Sequence, residues 1–170
     1  MQPLWELPPD EVEGVWRANV LGTYYGCRVA MAGMLAQGQG WIYNVEGFGS
    51  TGRLRWGLGA YGTSKAAVAY FTRALAAEAQ ETPVRVASLS PGMVMTDLVL
   101  GELAKDPERL ERSRRIFNII ADRAETVTPW MAEQILSNQR HGARIRWLTP
   151  GRMAWRFLSA PFSRRNVFDD

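Results

Sequence analysis

The stretch Tyr61-Gly62-Thr63-Ser64-Lys65-Ala66-Ala67 stands between an apolar run that ends at Val45 and an amphipathic helical run that continues to about Gln80. On a helix, residues four apart share a face, so the Tyr61 hydroxyl and the Lys65 ammonium reach the same side. A phenol has a pKa of about 10, and a nearby cation stabilises the phenolate and lowers that value. Such a pair can hand a proton to a carbonyl oxygen, or take one back, near neutral pH. A surface Tyr and Lys on an ordinary helix is the plain alternative, so the flanking segments matter.

Upstream, Gly40-Trp41-Ile42-Tyr43-Asn44-Val45 reads as a buried strand. Downstream, Val84-Arg85-Val86-Ala87-Ser88-Leu89 reads as a second strand, broken sharply by Pro91-Gly92. Before the first strand, Pro8-Pro9-Asp10 looks like a helix start with Asp10 as cap and Glu11 and Glu13 in the first turn. That helix runs to about Gln37, with Val12, Trp16, Val20, Tyr24 and Cys27 along a stripe. Gly101 to Ala121 is helical and charged, broken at Pro107. Thr128-Pro129 starts a helix from Trp130 to about Asn138, residues 143–148 alternate as a last strand, and Thr149-Pro150 starts a short terminal helix. Alternating helices and strands imply an α/β fold with parallel strands and crossover helices. Residues 1–170 read as a single domain.

Composition narrows the chemistry. The 170 residues are 46% apolar and 22% charged, ordinary for a soluble globular domain. No apolar run is long enough to span a bilayer, and Met1-Gln2-Pro3-Leu4-Trp5-Glu6 lacks the pattern of a signal peptide, so a cytoplasmic chain is expected. The only cysteine, Cys27, rules out an internal disulfide and reads as a small buried residue; the only histidine, His141, reads as a turn residue. Zinc chemistry and a His-based triad have little to draw on, and no metal site is expected. The net charge is +3, but Arg140, Arg144, Arg146, Arg152, Arg156, Arg164 and Arg165 accumulate late, interleaved with Trp147, Trp155, Phe157 and Phe162. That pattern suits a membrane surface or a nucleic acid. The simpler expectation is that the aromatics face a core while the Arg heads stay in water, with no nucleic-acid partner.

Strand, Tyr-x-x-x-Lys helix, strand and Pro-Gly, in that order, resemble the short-chain dehydrogenase/reductases over most of the chain. The resemblance implies a partial doubly wound, Rossmann-type domain with about three parallel strands and flanking helices. It implies Tyr61 as the acid and Lys65 as the residue that lowers its pKa and holds the nicotinamide ribose. Asn19, in Asn19-Val20-Leu21-Gly22, would hold a proton-relay water. In Pro91-Gly92-Met93-Val94-Met95-Thr96, the backbone near Val94 and the Thr96 hydroxyl would meet the carboxamide of NADP or NAD.

The resemblance is closer to the chlorophyll(ide) b reductase branch. It rests on Val45-Glu46-Gly47-Phe48-Gly49-Ser50, on Ser90 to Leu98, and on the tail segments Phe117-Asn118-Ile119-Ile120, Glu125-Thr126-Val127, Leu148-Thr149-Pro150 and Arg164-Arg165 through Phe168-Asp169. That branch implies reduction of a formyl group on a large flat tetrapyrrole, for which Trp56, Leu58, Phe117 and Trp130 would provide apolar surroundings. Homo-oligomers are common in the family.

Two features depart from the wider family. Its catalytic Ser falls three residues after the strand Asn, at Gly47 here, and Ser50 is the nearest hydroxyl. Ser50 can donate to a developing oxyanion or simply satisfy nearby backbone. In addition, the Gly-rich cofactor loop of a βαβαβ first half is not among these 170 residues, which leaves the inner strand edge unpaired. Gly47-Phe48-Gly49-Ser50-Thr51-Gly52 spells Gly-x-Gly-x-x-Gly, but residues 53–60 lack the apolar period of the helix a phosphate loop needs. It reads as the substrate-side loop leading to Tyr61. The expected function is NAD(P)H-dependent reduction of a small-molecule carbonyl. The alternative is a truncated fragment or partner subunit unable to bind cofactor alone.

Overall fold

The computed structural model describes residues 2–104 and 106–168, apart from the side chains of Leu98, Glu102 and Arg109. Asp169, the last residue of the Phe168-Asp169 tail segment, lies outside the described residues. Packing divides the chain, which reads as one domain in sequence, into two compact units: residues 1–90 with 139–145, and residues 91–138 with 146–170.

In the first unit, helix α1 (Pro9–Trp16) passes through a π turn (Arg17–Leu21) into α2 (Gly22–Gln37). The start differs from expectation: Pro8 occupies the capping position, and Asp10 lies inside the first turn. Pro9 is tolerated at the first helical position because its missing N–H would have no intrahelical partner there. Gly38, at φ 77°, ends α2. Strand β1 (Gly40–Val45) pairs parallel with β2 (Val84–Ser90), in register from Gly40 opposite Val84 to Val45 opposite Leu89. Helix α3 (Gly59–Glu78) makes the crossover between them.

The sheet order is β1, β2, β5 (Arg144–Arg146), so β1 is an edge strand among the described residues. Ile42, Val84 and Val86 from the strands meet Cys27 of α2 and Ala76 of α3 in the core. Burying each such Val or Ile contributes about 1.5–3 kcal/mol. His141 does more than turn the chain. Its Nδ1 accepts from the Val86 amide at 3.3 Å, so its Nε2 carries the proton donated to the Ala76 carbonyl at 2.6 Å.

In the second unit, β3 (Met93–Met95) pairs parallel with β4 (Ala121–Arg123), a strand too short to register in the sequence pattern. Helices α4 (Asp97–Ala104) and α5 (Pro107–Ile120) divide before Pro107 as expected. Helix α6 (Ala124–Ser137) begins earlier than its Thr-Pro signal suggests, with Pro129 inside it. Helix α7 (Pro150–Ser159) is capped by Thr149, whose hydroxyl accepts from the Arg152 amide at 3.2 Å.

The core of this unit gathers Met95, Leu103, Phe117, Ala121 and Val167, and Phe117 meets Phe168 edge to face at 6.2 Å. At its polar centre, buried Asp122 accepts from Arg156 through both terminal nitrogens at 2.8 and 2.9 Å, from Arg165 at 2.7 Å and from the Trp147 indole at 2.6 Å. The expected arrangement of the tail is therefore reversed at several positions. Arg156 turns inward to a carboxylate, whereas Trp155 is 69% and Phe162 90% exposed. A buried acid outcompetes water for a guanidinium fork, and the aromatics take the outer face that remains. No helix among the described residues is long and apolar enough to cross a membrane.

Candidate active site

The first turns of α3 bring Tyr61, Ser64 and Lys65 against the loop that follows β1. Gly47 is the tightest point. A Cβ added there would lie 2.5 Å from the Tyr61 hydroxyl and 3.1 Å from Cγ of Lys65, so a side chain at this position requires the phenol to shift. Two residues on, Gly49 has φ 100°, and its Cβ would lie 2.4 Å from the Gly62 carbonyl oxygen. Both glycines of this stretch thus let loop backbone lie on α3. No helix starts between the end of β1 at Val45 and Gly59, so the loop lacks the adjoining helix N-terminus that a phosphate loop requires.

Ser50 is committed to backbone. Its hydroxyl accepts from the Gly47 amide at 3.1 Å and donates to the Lys65 carbonyl at 3.1 Å. To donate to an oxyanion it would have to release that carbonyl.

Asn19 sits on the π turn, a local widening of the helix often found at functional sites. Its amide donates to the hydroxyl of fully buried Ser64 at 3.0 Å, and Ser64 donates to the Tyr61 carbonyl at 2.7 Å. A two-step chain of hydrogen bonds therefore fixes the α1–α2 helix to the turn that carries Tyr61. Ser64 was visible in the motif, but its spacing from Asn19 gave no sign of this contact.

The electrostatics differ from the simple Tyr–Lys picture. Lys65 Nζ donates to the Val45 carbonyl at 3.3 Å and stands 6.0 Å from the centre of the Tyr61 ring. Burial pushes the Tyr61 phenol above its ordinary value and the Lys65 ammonium below its own. The net direction at Tyr61 is thus opposite to the lowering expected from Lys65. Next to Gly47, the Glu46 carboxylate is buried and accepts from Arg144 Nε at 2.9 Å, with a second contact from Nη2. That pairing joins the start of the loop to β5, across 98 residues of sequence.

The remaining sequence candidates lie in the second unit. Gly92 follows Pro91 at φ 78°, where a Cβ would also meet Leu148 Cβ at 2.9 Å. Val94 lies on β3 opposite Asp122, and the Thr96 hydroxyl accepts from the Val99 amide at 3.4 Å at the start of α4. Phe117, expected beside a flat substrate, is a core residue, and Trp130 packs edge to face on Trp147 at 5.2 Å. Trp56, in the first unit, is 66% exposed.

Comparison with known proteins decides the family. The family model described as short chain dehydrogenase matches residues 1–106. The chain belongs to the short chain dehydrogenase family. Among relatives of this short chain dehydrogenase, chlorophyll(ide) b reductase NOL, chloroplastic, of Arabidopsis thaliana is 35% identical over 156 residues, covering 87% of this chain and 43% of that protein. A probable chlorophyll(ide) b reductase of Oryza sativa subsp. japonica is 29% identical over 170 residues, covering 99% of this chain and 32% of that protein. The chain thus spans less than half the length of either relative. The structure of a short-chain type dehydrogenase/reductase from Mycobacterium ulcerans superposes with a TM-score of 0.72 at 26% identity, over 91% of this chain and 56% of that one. A gluconate 5-dehydrogenase from Burkholderia cenocepacia J2315, in complex with NADP and tartrate, has the same fold, with a TM-score of 0.70 at 20% identity over 89% of this chain and 60% of that one.

Proposed function

We propose that this chain carries the proton-transfer centre of an NAD(P)H-dependent carbonyl reductase. The observation that carries the reading is the bare Gly47 backbone beside the Tyr61 hydroxyl, with Lys65 one turn further along α3. With no side chain at residue 47, loop backbone lies directly against the Tyr61 hydroxyl and fixes the phenol's position, which would serve a carbonyl substrate and the nicotinamide end of a dinucleotide. Tyr61 and Lys65 would hold that end through its ribose, as the family resemblance implies. Bound NAD(P)H supplies the hydride.

The chain's own residues manage the proton. Tyr61, like any phenol, is protonated at neutral pH, and burial pushes its pKa further up; that is the state needed to donate to a carbonyl oxygen as it becomes an alkoxide. Burial also makes the Lys65 ammonium a readier donor, suited to returning the proton to the phenolate. Asn19, through Ser64, holds the turn that carries Tyr61 in place. Ser50 orients the carbonyl oxygen if its hydroxyl turns from the Lys65 carbonyl; otherwise it holds the loop. The finer proposal is a formyl group on a chlorophyll(ide) b-like tetrapyrrole, supported by the two plant relatives and by the resemblance of Glu46 to Ser50 and of the tail segments to that branch.

Binding of NADPH and NADH to the 170-residue chain, followed by their oxidation with aldehydes and with chlorophyllide b, tests the reading. Nucleotide oxidation that needs an aldehyde and is lost in Tyr61→Phe is expected. Turnover unchanged in Tyr61→Phe would overturn it.

A further inference from the structure

A cavity of about 380 Å³ opens in the second unit, walled by Arg114, Arg115 and Asn118 of α5, Arg156 of α7 and Arg165 of the tail. Its size falls within the range of small-ligand sites. Helical spacing builds one wall, because Glu111, Arg115 and Asn118 recur on one face of α5. Ile119 and Ala160 add apolar surface between the charges.

The charges around this cavity do not cancel. Arg156 and Arg165 both bind the single carboxylate of Asp122, and each also donates to backbone, Arg156 to the Ile120 carbonyl at 3.5 Å and Arg165 to those of Ile119 at 3.4 Å and Ala121 at 2.6 Å. Arg114 faces Glu111 at 3.9 Å. The Arg115 side chain is exposed and has no hydrogen-bond or ion-pair partner among the described residues. Among the described residues, one guanidinium charge is therefore left over at the Asp122 cluster and another on Arg115. Asn118 adds a neutral donor: its Oδ1 accepts from the Val167 amide at 3.0 Å, and its amide nitrogen is the donor end of the same side chain.

A carboxylate carries one negative charge, whereas a phosphate monoester carries about −1.5 to −2 at pH 7 and offers three acceptor oxygens. We propose that this cavity binds a phosphomonoester dianion, gripped by Arg115 and by the outer edge of the Arg156–Arg165 pair. Guanidinium groups suit this ligand because their planar N–H forks match phosphate oxygens. Two sources present the same group. One is a soluble phosphate ester. The other is phosphatidic acid in a bilayer, which the exposed Trp155, Leu158 and Phe162, spaced three and four apart, would meet with apolar surface.

This proposal does not depend on the reductase reading, because its test measures binding alone. The 170-residue chain is titrated with glycerol 3-phosphate by calorimetry at constant ionic strength. In parallel it is sedimented with phosphatidylcholine vesicles with and without phosphatidic acid. Saturable binding in at least one arm is expected, weakened tenfold or more by Arg115→Ala and unchanged by Arg85→Ala, which removes the same charge from the first unit. Arg115→Gln keeps the length and polarity of the side chain and is expected to behave like Arg115→Ala. Binding to phosphatidic acid alone would assign the lipid source. No saturable binding in either arm, or binding equal in wild type and both Arg115 variants, would overturn the proposal.

Discussion

Arg144 on β5 reaches Glu46 at the end of β1 and holds its buried carboxylate with Nε at 2.9 Å. The pair closes the first unit around the loop that leads to Tyr61. Removing one partner leaves an uncompensated buried charge, which costs about 3–5 kcal/mol. Arg144→Ala is therefore expected to lower the urea midpoint by an amount equivalent to about 3 kcal/mol, at the low end because Arg144 itself is partly exposed. Glu46→Gln in the Arg144→Ala background is expected to recover much of that loss. Unfolding curves that move by less than about 1 kcal/mol for Arg144→Ala would show that the pair is dispensable.

Gly47→Ala places a methyl group 2.5 Å from where the Tyr61 hydroxyl lies. The phenol has to move by about an ångström, and misplacement of that size costs on the order of 10²-fold in turnover. Steady-state kinetics are expected to show the fall mainly in kcat. The same kcat in Gly47→Ala and wild type would mean that the hydroxyl acts from another position.

Tyr61→Phe removes the proposed proton donor without removing ring volume. A positioned general acid is worth about 10²–10⁴-fold, and a loss of that size in turnover with nucleotide binding retained is expected. Calorimetry of NADPH binding beside the kinetics separates the two effects.

The pH dependence of stability carries opposite signatures from Tyr61 and Lys65. Tyr61 titrates above its ordinary 10.0 in the folded chain, so stability from this group is present below about pH 10 and lost as pH rises through the folded value. Lys65 titrates below its ordinary 10.5, so the unfolded chain binds more protons in the interval between its folded value and 10.5, and stability rises with pH across that interval. Urea midpoints measured from about pH 8 to 11 are expected to fall less steeply above pH 10 in Tyr61→Phe than in wild type. In Lys65→Met the rise below 10.5 is expected to vanish. Parallel profiles for wild type and both variants would contradict the buried environment of the two groups.

Asp122→Ala strips the second unit of the acceptor shared by Arg156, Arg165 and Trp147. Arg156 is mostly buried, with a side chain 14% exposed, so a loss of about 3 kcal/mol is expected, read as a lower thermal midpoint. Asp122→Asn keeps an acceptor for the indole and is expected to lose somewhat less. An unchanged midpoint in both variants would show that the cluster contributes nothing net.

Much of this architecture was legible along the chain because it is written in local patterns. The order of helices and strands, the break before Pro107, the Thr149 start of α7 and the shared face of Tyr61 and Lys65 all follow from periodicity and turn chemistry, which act over a few residues. The short strands β3 and β4 were not legible. Three residues are too few to carry a period, and parallel pairing joins segments distant in sequence.

The sequence by itself determined the parallel α/β arrangement, the family resemblance and the placement of Tyr61 and Lys65 one turn apart on a single helix. Only the tertiary structure decided that Asn19 reaches Tyr61 through Ser64, that Ser50 is tied to Gly47 and Lys65 backbone, and that Glu46 and Asp122 draw arginines inward from the tail half of the chain. The physical reason is desolvation. A carboxylate or amide taken out of water must find its partner wherever the fold brings one, and that choice depends on distance in space, which spacing in sequence does not encode.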